Sequence, residues 1–339
     1  MNLLKKKGIV LSPKRYFIDA LSAMALGLFA SLLIGTIFGT VADYVSYKPV
    51  QELFKKMQEF SVAAQGSAMA IAIGSALGAQ GLVLFSLCAV GCAANTLGGP
   101  LGTYVAVVIA SELGKLVYKS TKVDIIVTPT VTISVGVALA ILVGPGISKI
   151  MTQFGNLIMM FTEMKPIFMG ALVSMVVGIC LTLPISSAAI CAMLSLTGIA
   201  GGAATAGCCA QMIGFAVMSF AANGWGGLLA QGLGTSMLQM GNIIRKPIIW
   251  IPPIITSAIT GVLSAFVFKM ENPVAIASGM GTCGLVGPIG VMSAKGIDSY
   301  DILVMVVICF VLPAVLTWGI AYPFKKLGWI KDSDLKLNL

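Results

Sequence analysis

Two short stretches of this chain place a side-chain amide at the same point of one pattern. Gly91-Cys92-Ala93-Ala94-Asn95 resembles Gly207-Cys208-Cys209-Ala210-Gln211. A carboxamide carries donors and an acceptor together, so Asn95 and Gln211 suit the hydroxyl groups of a neutral polar ligand. The same amides serve equally well to tie helices together. Gln231 and Gln239 follow on the next apolar run and carry the same pair of readings. Ser186 and Ser187 follow Pro184 at a break between apolar runs. Main-chain NH groups there would open a half-helix whose positive end favours an anion or an electron-rich oxygen. Glu112 stands one turn before Lys115, either as an interfacial ion pair or as an acceptor facing a cavity. Glu163, just before Lys165-Pro166, and Glu271, before Asn272-Pro273, suit helix edges or a gate. Thus Asn95, Glu112, Ser186, Ser187, Gln211 and Gln231 are the substrate-binding candidates. Glu163, Glu271 and Asn272 are the gate or edge candidates.

Other chemistry is excluded by what is missing. The chain has no histidine, so no imidazole acts as base, metal ligand or phosphoryl carrier. Ser-His-Asp and Cys-His catalysis fall with it. No Gly-x-x-x-x-Gly-Lys loop is present to cradle nucleotide phosphates. The eight cysteines (Cys88, Cys92, Cys180, Cys191, Cys208, Cys209, Cys283, Cys309) all lie in apolar stretches without zinc-ligand spacing. They read as small packing residues kept reduced. No catalytic side chain, metal or cofactor is assigned.

Positioning these polar groups falls to a membrane scaffold. Of 339 residues, 58% are apolar and only 10% charged, against about 25% charged in a soluble domain. The 39 glycines suit closely packed helices and turns inside a bilayer. The net charge of +9 sits at the ends of apolar runs and is not interleaved with aromatics, which fits headgroups and not nucleic acid. Lys5, Lys6, Lys7, Lys14 and Arg15 mark residues 1–15 as a cytoplasmic N-terminus without a signal-peptide pattern. Apolar spans are predicted near 16–41, 63–79, 82–97, 99–119, 125–143, 167–184, 186–200, 203–222, 225–243, 248–269 and 299–323. Between the first two, 48–60 carries Val50, Leu53, Phe54, Met57 and Phe60 at helical spacing, a surface amphipathic helix. Asn272–Ala294 holds too many glycines and prolines for a good continuous helix. It reads as a re-entrant hairpin or as one more span.

A second similarity sets Lys122-Val123-Asp124-Ile125-Ile126-Val127-Thr128-Pro129 against Arg245-Lys246-Pro247-Ile248-Ile249-Trp250-Ile251-Pro252. The two pairs of copies lie 116 and 123 residues apart, and Asp19-Ala20-Leu21 can be set against Gly170-Ala171-Leu172 upstream. The predicted fold is therefore an all-α polytopic membrane protein. It has about ten transmembrane helices in two inverted repeats of about five, plus the Gly-rich re-entrant segment and the surface helix. In such a plan the substrate sits near the midplane where the halves meet. The divisions are 1–15, a first repeat 16–147, a linker 148–165, a second repeat 166–270, the re-entrant segment with the last helix 271–325, and a polar tail 326–339.

Gly98-Gly99-Pro100-Leu101-Gly102, Lys122 to Pro129, Leu183 to Ala189, Gly207 to Met218, Gly232 to Gln239 and Met280 to Gly290 together resemble one family. The chain is similar to the IIC-type membrane proteins of the bacterial phosphoenolpyruvate-dependent sugar phosphotransferase system, and within them to a branch with perfringolysin O regulator-like proteins. The resemblance implies a multi-pass permease of the bacterial cytoplasmic membrane, surrounded by lipid, probed by no nucleic acid and paired as a homodimer. It implies a sugar substrate, phosphorylated by IIA and IIB proteins, which would here be separate chains. The glucose-type pattern of a His and a Glu beside the sugar is absent, so no catalytic residue is carried over. Two other functions fit the same residues: a secondary transporter of a small polar solute without phosphorylation, and a membrane regulator or sensor.

Overall fold

A computed structural model describes residues 7–293 and 299–337. Lys5, Lys6 and Ala294, and the last two positions of the polar tail, lie outside them. The described chain is helical, and its one β-bridge joins Gly198 and Asn272. Six helices among the described residues are long and apolar enough to cross a membrane. They are α1 (Arg15–Asp43), α4 (Leu82–Val117), α5 (Asp124–Thr162), α8 (Gly198–Met218), α11 (Pro247–Val267) and α14 (Ser299–Lys326). Between them stand α2 (Lys48–Ala63), α3 (Gln65–Ala76), α6 (Pro166–Thr182), α7 (Ser187–Met193), α9 (Phe220–Leu229), α10 (Met240–Arg245), α12 (Ala275–Ser278) and α13 (Val286–Met292). The chain divides into two compact units, Met1–Ile150 and Met151–Leu339.

The six long helices and the shorter apolar ones divide the predicted apolar runs differently, since one long helix can hold two runs and another can run on past its predicted end. In the first unit α4 is two arms in one. Gly99 has φ 61° and ψ −157°, inside an otherwise helical run, a conformation that only glycine takes without strain. The arms fold back on each other. A Cβ on Gly114 would stand 2.8 Å from Val83, and one on Gly81 would stand 2.6 Å from the Tyr118 hydroxyl. The predicted spans 82–97 and 99–119 are these two arms. Conversely, α5 continues to Thr162 through Pro129 and Pro145. The stretch 148–165, read as a linker, is therefore helical except for its last three residues, and the unit boundary falls within it.

Helix α2 covers Lys48–Ala63 with Pro49 in its first turn, where the missing NH costs nothing. It buries no residue completely. Phe54 meets Phe38 of α1 at 6.0 Å between ring centroids, and Gln51 donates to the Ala42 carbonyl. Leu53, Met57 and Phe60 stay exposed, as a helix lying in a membrane surface requires. Helix α3 runs antiparallel to the first arm of α4. Gly66 and Gly91 lie backbone to backbone, and a Cβ on either would collide with the other's carbonyl. At one end of this unit Arg15 and Lys115 both donate to the Leu77 carbonyl, and Lys7 to that of Tyr118.

The second unit is built on α8, the most buried of the six spans. Helices α6 and α11 pack against it and against each other through small residues. A Cβ on Gly170 would strike the Gly261 carbonyl, and one on Gly207 the Ser174 carbonyl. Such contacts let helices associate by close van der Waals packing where lipid offers no hydrophobic gain. Here α6 and α8 rise together, Ser174 beside Gly207 and Thr182 beside Gln211. The matched glycines Gly91 and Gly207 thus face neighbours that run in different senses. The turning device does recur: Gly224 has φ 58° and ψ −156°, and beyond it Gly232 comes back against Ile213 and Ala216 of α8. From Asn272 to Ser293 the chain is short helical pieces, pinned to the core. Asn272 is fully buried, donates from its side chain to Thr205 Oγ1 at 2.9 Å and from its main-chain NH to the Gly198 carbonyl at 3.0 Å.

Candidate functional site

Gln211 sits about two turns before the end of α8, fully buried. Every atom of its amide is engaged. Oε1 accepts from Trp250 Nε1 at 2.9 Å and from Thr182 Oγ1 at 3.3 Å. Nε2 donates to Ser257 Oγ at 3.1 Å, and that hydroxyl donates onward to the main chain of α11 or α8. Thr182 and Ser236 share a further hydrogen bond of 2.8 Å. The five side chains come from α6, α8, the 230–239 stretch and α11. None carries a charge. The group is therefore a neutral array of hydroxyls, an amide and an indole NH inside an apolar bundle, the donor and acceptor set that matches a neutral polyol.

Local sequence explains why the array forms there. Thr182 is the last residue of α6, since Leu183 is extended and Pro184 follows. Trp250 closes a 3-10 turn that starts at Pro247, just before Pro252-Pro253 enter the first turn of the following helix. Ser236 lies where a helix breaks. Ala230–Gly234 is π-helical, Thr235 is extended at φ −159°, and Ser236–Gln239 is 3-10. Thr235 caps that turn through its hydroxyl, 3.2 Å from Met237 N.

A second polar row adjoins the same break. Gln231 Nε2 donates to Ser219 Oγ at 2.8 Å and to the Gly227 carbonyl at 2.9 Å. Its Oε1 accepts from Gln239 Nε2 at 2.9 Å, and Gln239 Oε1 accepts from Asn242 Nδ2 at 2.7 Å. The row ends on the segment 331–337. Lys246 Nζ lies 2.7 Å from Asp334 Oδ2, which also accepts from the Lys331 main chain. Burial pushes the Asp334 carboxyl up. The hydrogen bonds from Lys246 and Lys331, with the charges of both lysines, outweigh that and hold it below the usual carboxylate range.

The other candidates are placed separately. Ser186 caps α7, its Oγ accepting from Ala189 N at 3.3 Å. Ser187 is buried and donates to the Gly279 carbonyl at 2.6 Å, fixing the Gly-rich segment. Asn272 fixes the start of that segment. Glu271 is half-buried beside it, and Glu163 is exposed in the turn before α6. In the first unit Asn95 lies beside Gly66, with Oδ1 buried and without a hydrogen-bond partner. Glu112 pairs with Lys115 at 2.8 Å, and the lysine side chain is only 4% exposed. Of the six substrate-binding candidates, Gln211 and Gln231 thus belong to hydrogen-bonded rows of the second unit, while Ser186 and Ser187 hold backbone. Thr182, Ser236, Trp250 and Ser257 were not singled out by sequence reasoning. The break at Gly232-Leu233-Gly234 was the available signal for Ser236. No group of three or more His, Cys, Asp or Glu residues suited to a metal occurs among the described residues.

Residues 18–337 match a family model described as phosphotransferase system, EIIC. No curated protein and no solved structure matches the chain.

Proposed function

The chain belongs to the phosphotransferase-system EIIC family, and from that premise we propose that it conducts a neutral sugar across the membrane, with Gln211 at the centre of the recognition site. One observation carries the assignment of the site: an uncharged, fully hydrogen-bonded array stands at a broken helix inside an apolar bundle. Transporters place substrate at such discontinuous helices, because the freed backbone and nearby polar groups can serve the ligand. A row of hydroxyls and amides costs free energy in lipid unless paired. Here the pairs are internal, so a ligand must exchange its own hydroxyls for them. A sugar hydroxyl entering beside Ser236 takes over bonds that Thr182 and Trp250 now make to Gln211.

The absence of charge at Gln211 favours a neutral sugar over an acidic one. No histidine is available to relay a phosphoryl group, so the phosphoryl donor is a partner protein of the IIB type, supplied in turn by IIA. The exposed lysines at the ends of the helices suit an acidic face of such a partner. The test is uptake of labelled sugars into proteoliposomes, with and without phosphorylated IIB. The proposal expects one neutral sugar to accumulate as its phosphate only when IIB is present. Uptake that follows an ion gradient alone would establish a secondary transporter instead. Binding without flux would establish a sensor.

A further inference from the structure

We propose that the segment Ile330–Leu337 is an exchangeable gate, held in the second unit as a peptide ligand bound in cis. Three side-chain amides recognise its main chain. Asn223 grips it twice, donating from Nδ2 to the Leu335 carbonyl at 2.9 Å and accepting from Leu337 N at 2.8 Å. Gln239 donates to the Leu335 carbonyl at 3.0 Å, and Asn242 to the Lys336 carbonyl at 3.0 Å. These contacts meet the chain where it leaves the 3-10 turn Asp332–Leu335 and read its backbone, not its side chains. Side chains add the address. Ile330 and Leu335 are buried in a cluster with Phe215 and Met218, and Lys246 binds Asp334. The site thus selects a peptide with two apolar anchors five positions apart and an acid just before the second.

The point of departure is defined: the segment leaves α14 at Gly328, whose φ of +73° closes the helix, with the Trp329 and Ile330 main-chain NH groups bonded back to the Phe324 carbonyl. Beside that turn Lys246, Ile248, Gly328 and Trp329 line a shallow, open depression of about 430 Å³. What the segment covers is polar: behind Gln239 the row continues to Gln231 and Ser219. Departure of the segment exposes a wall of amide donors and acceptors, a wet path for a hydroxylated solute. The gating role rests on the transport reading above, whereas exchange of the segment does not.

The experiment uses the full chain in nanodiscs, with a protease site inserted at Gly328. After cleavage, a fluorescent peptide of residues 329–337 is added in trans. Saturable binding is expected, displaced by unlabelled peptide. Binding should weaken about tenfold or more for the peptide bearing D334K, the scale for losing a hydrogen bond to a charged group. Asn223→Ala in the protein should weaken it as well, and Lys246→Met serves if that variant does not fold. Failure of the labelled peptide to exchange in over a day, or equal binding of the D334K peptide, overturns the proposal. Stopped-flow sugar binding then reads the gate: faster entry is expected once the segment has gone, and an unchanged rate overturns the gating role. If no sugar binds even the uncut protein, the transport reading fails, and the peptide arm still decides exchange.

Discussion

The indole NH of Trp250 donates to Oε1 of Gln211 at 2.9 Å, joining the entry of α11 to the centre of α8. The bond ties a residue that closes a short 3-10 turn to one fixed in the middle of the most buried span. Movement of that turn therefore makes or breaks a hydrogen bond to the Gln211 side-chain oxygen.

Replacing Gln211 by Met keeps the volume and removes every polar atom. The Trp250 NH loses its partner, at about 1–3 kcal/mol for a buried group left unpaired, while the Ser257 hydroxyl keeps its main-chain acceptors. Gln211→Met should insert and purify, melt a few degrees lower, and lose sugar binding. Trp250→Phe removes a single donor and should weaken or strengthen binding by only about twofold to tenfold. Isothermal titration on both variants checks this. Unchanged affinity in Gln211→Met would leave the amide with a packing role alone.

Close approach of α6 and α8 rests on Gly207. A Cβ there would collide with the Ser174 carbonyl, a backbone atom that cannot turn aside. Gly207→Ala should cost about 1–3 kcal/mol, the scale of overpacking. Gly226, with nothing within 4 Å of its Cβ position, is the matched control, and Gly226→Ala should leave the melting temperature in detergent unchanged. Equal melting of the two variants would refute the close contact.

These contacts mark the limit of what one sequence reveals. The surface helix was legible because charge and apolar spacing are local, and the reading 48–60 falls inside the observed Lys48–Ala63. The reversal in α4 was legible because Gly98-Gly99-Pro100 is a local breaker. Pro129 and Pro145 gave the opposite lesson, since α5 runs through both; neighbouring helices and hydroxyls absorb such breaks inside a bundle. Trp250 was invisible as a site residue because its partner is 39 positions away. The segment after Lys326 is polar enough to read as a solvated tail. Of the apolar residues it carries, the fold buries Ile330 and Leu335 and leaves Leu327 and Trp329 exposed, a choice that the local pattern does not reveal.

Acid should loosen that segment. The folded-state Asp334 carboxyl lies below its ordinary range, so its contribution is complete above the unfolded value of about 3.9 and is lost as pH falls through the lower folded value. Proteolysis after Lys331 should therefore be slow and constant from neutral pH down to about 4, then quicken as the carboxyl protonates. Asp334→Asn should be cut faster at neutral pH and show no such acid step. A wild-type profile without the step would show that Lys246 does not hold the segment through charge.

In the first unit, Glu112 offers a test that separates charge from packing. Lys115 is only 4% exposed, lies 2.8 Å from Glu112 and donates to the Leu77 carbonyl at 2.7 Å. Glu112→Gln keeps the shape and removes the counter-charge, leaving a buried cation with carbonyl dipoles alone. Breaking a buried pair at one partner costs about 3–5 kcal/mol, whereas replacing both partners by apolar groups of similar volume is often neutral. The single variant should melt markedly lower, and the double variant Glu112→Leu with Lys115→Met should recover most of the loss. If instead the double variant melts as low as the single and sugar uptake is lost in both, Glu112 acts on the solute and not merely on its lysine. A double-mutant cycle on melting temperature and uptake, run on the same preparations, decides between the two roles.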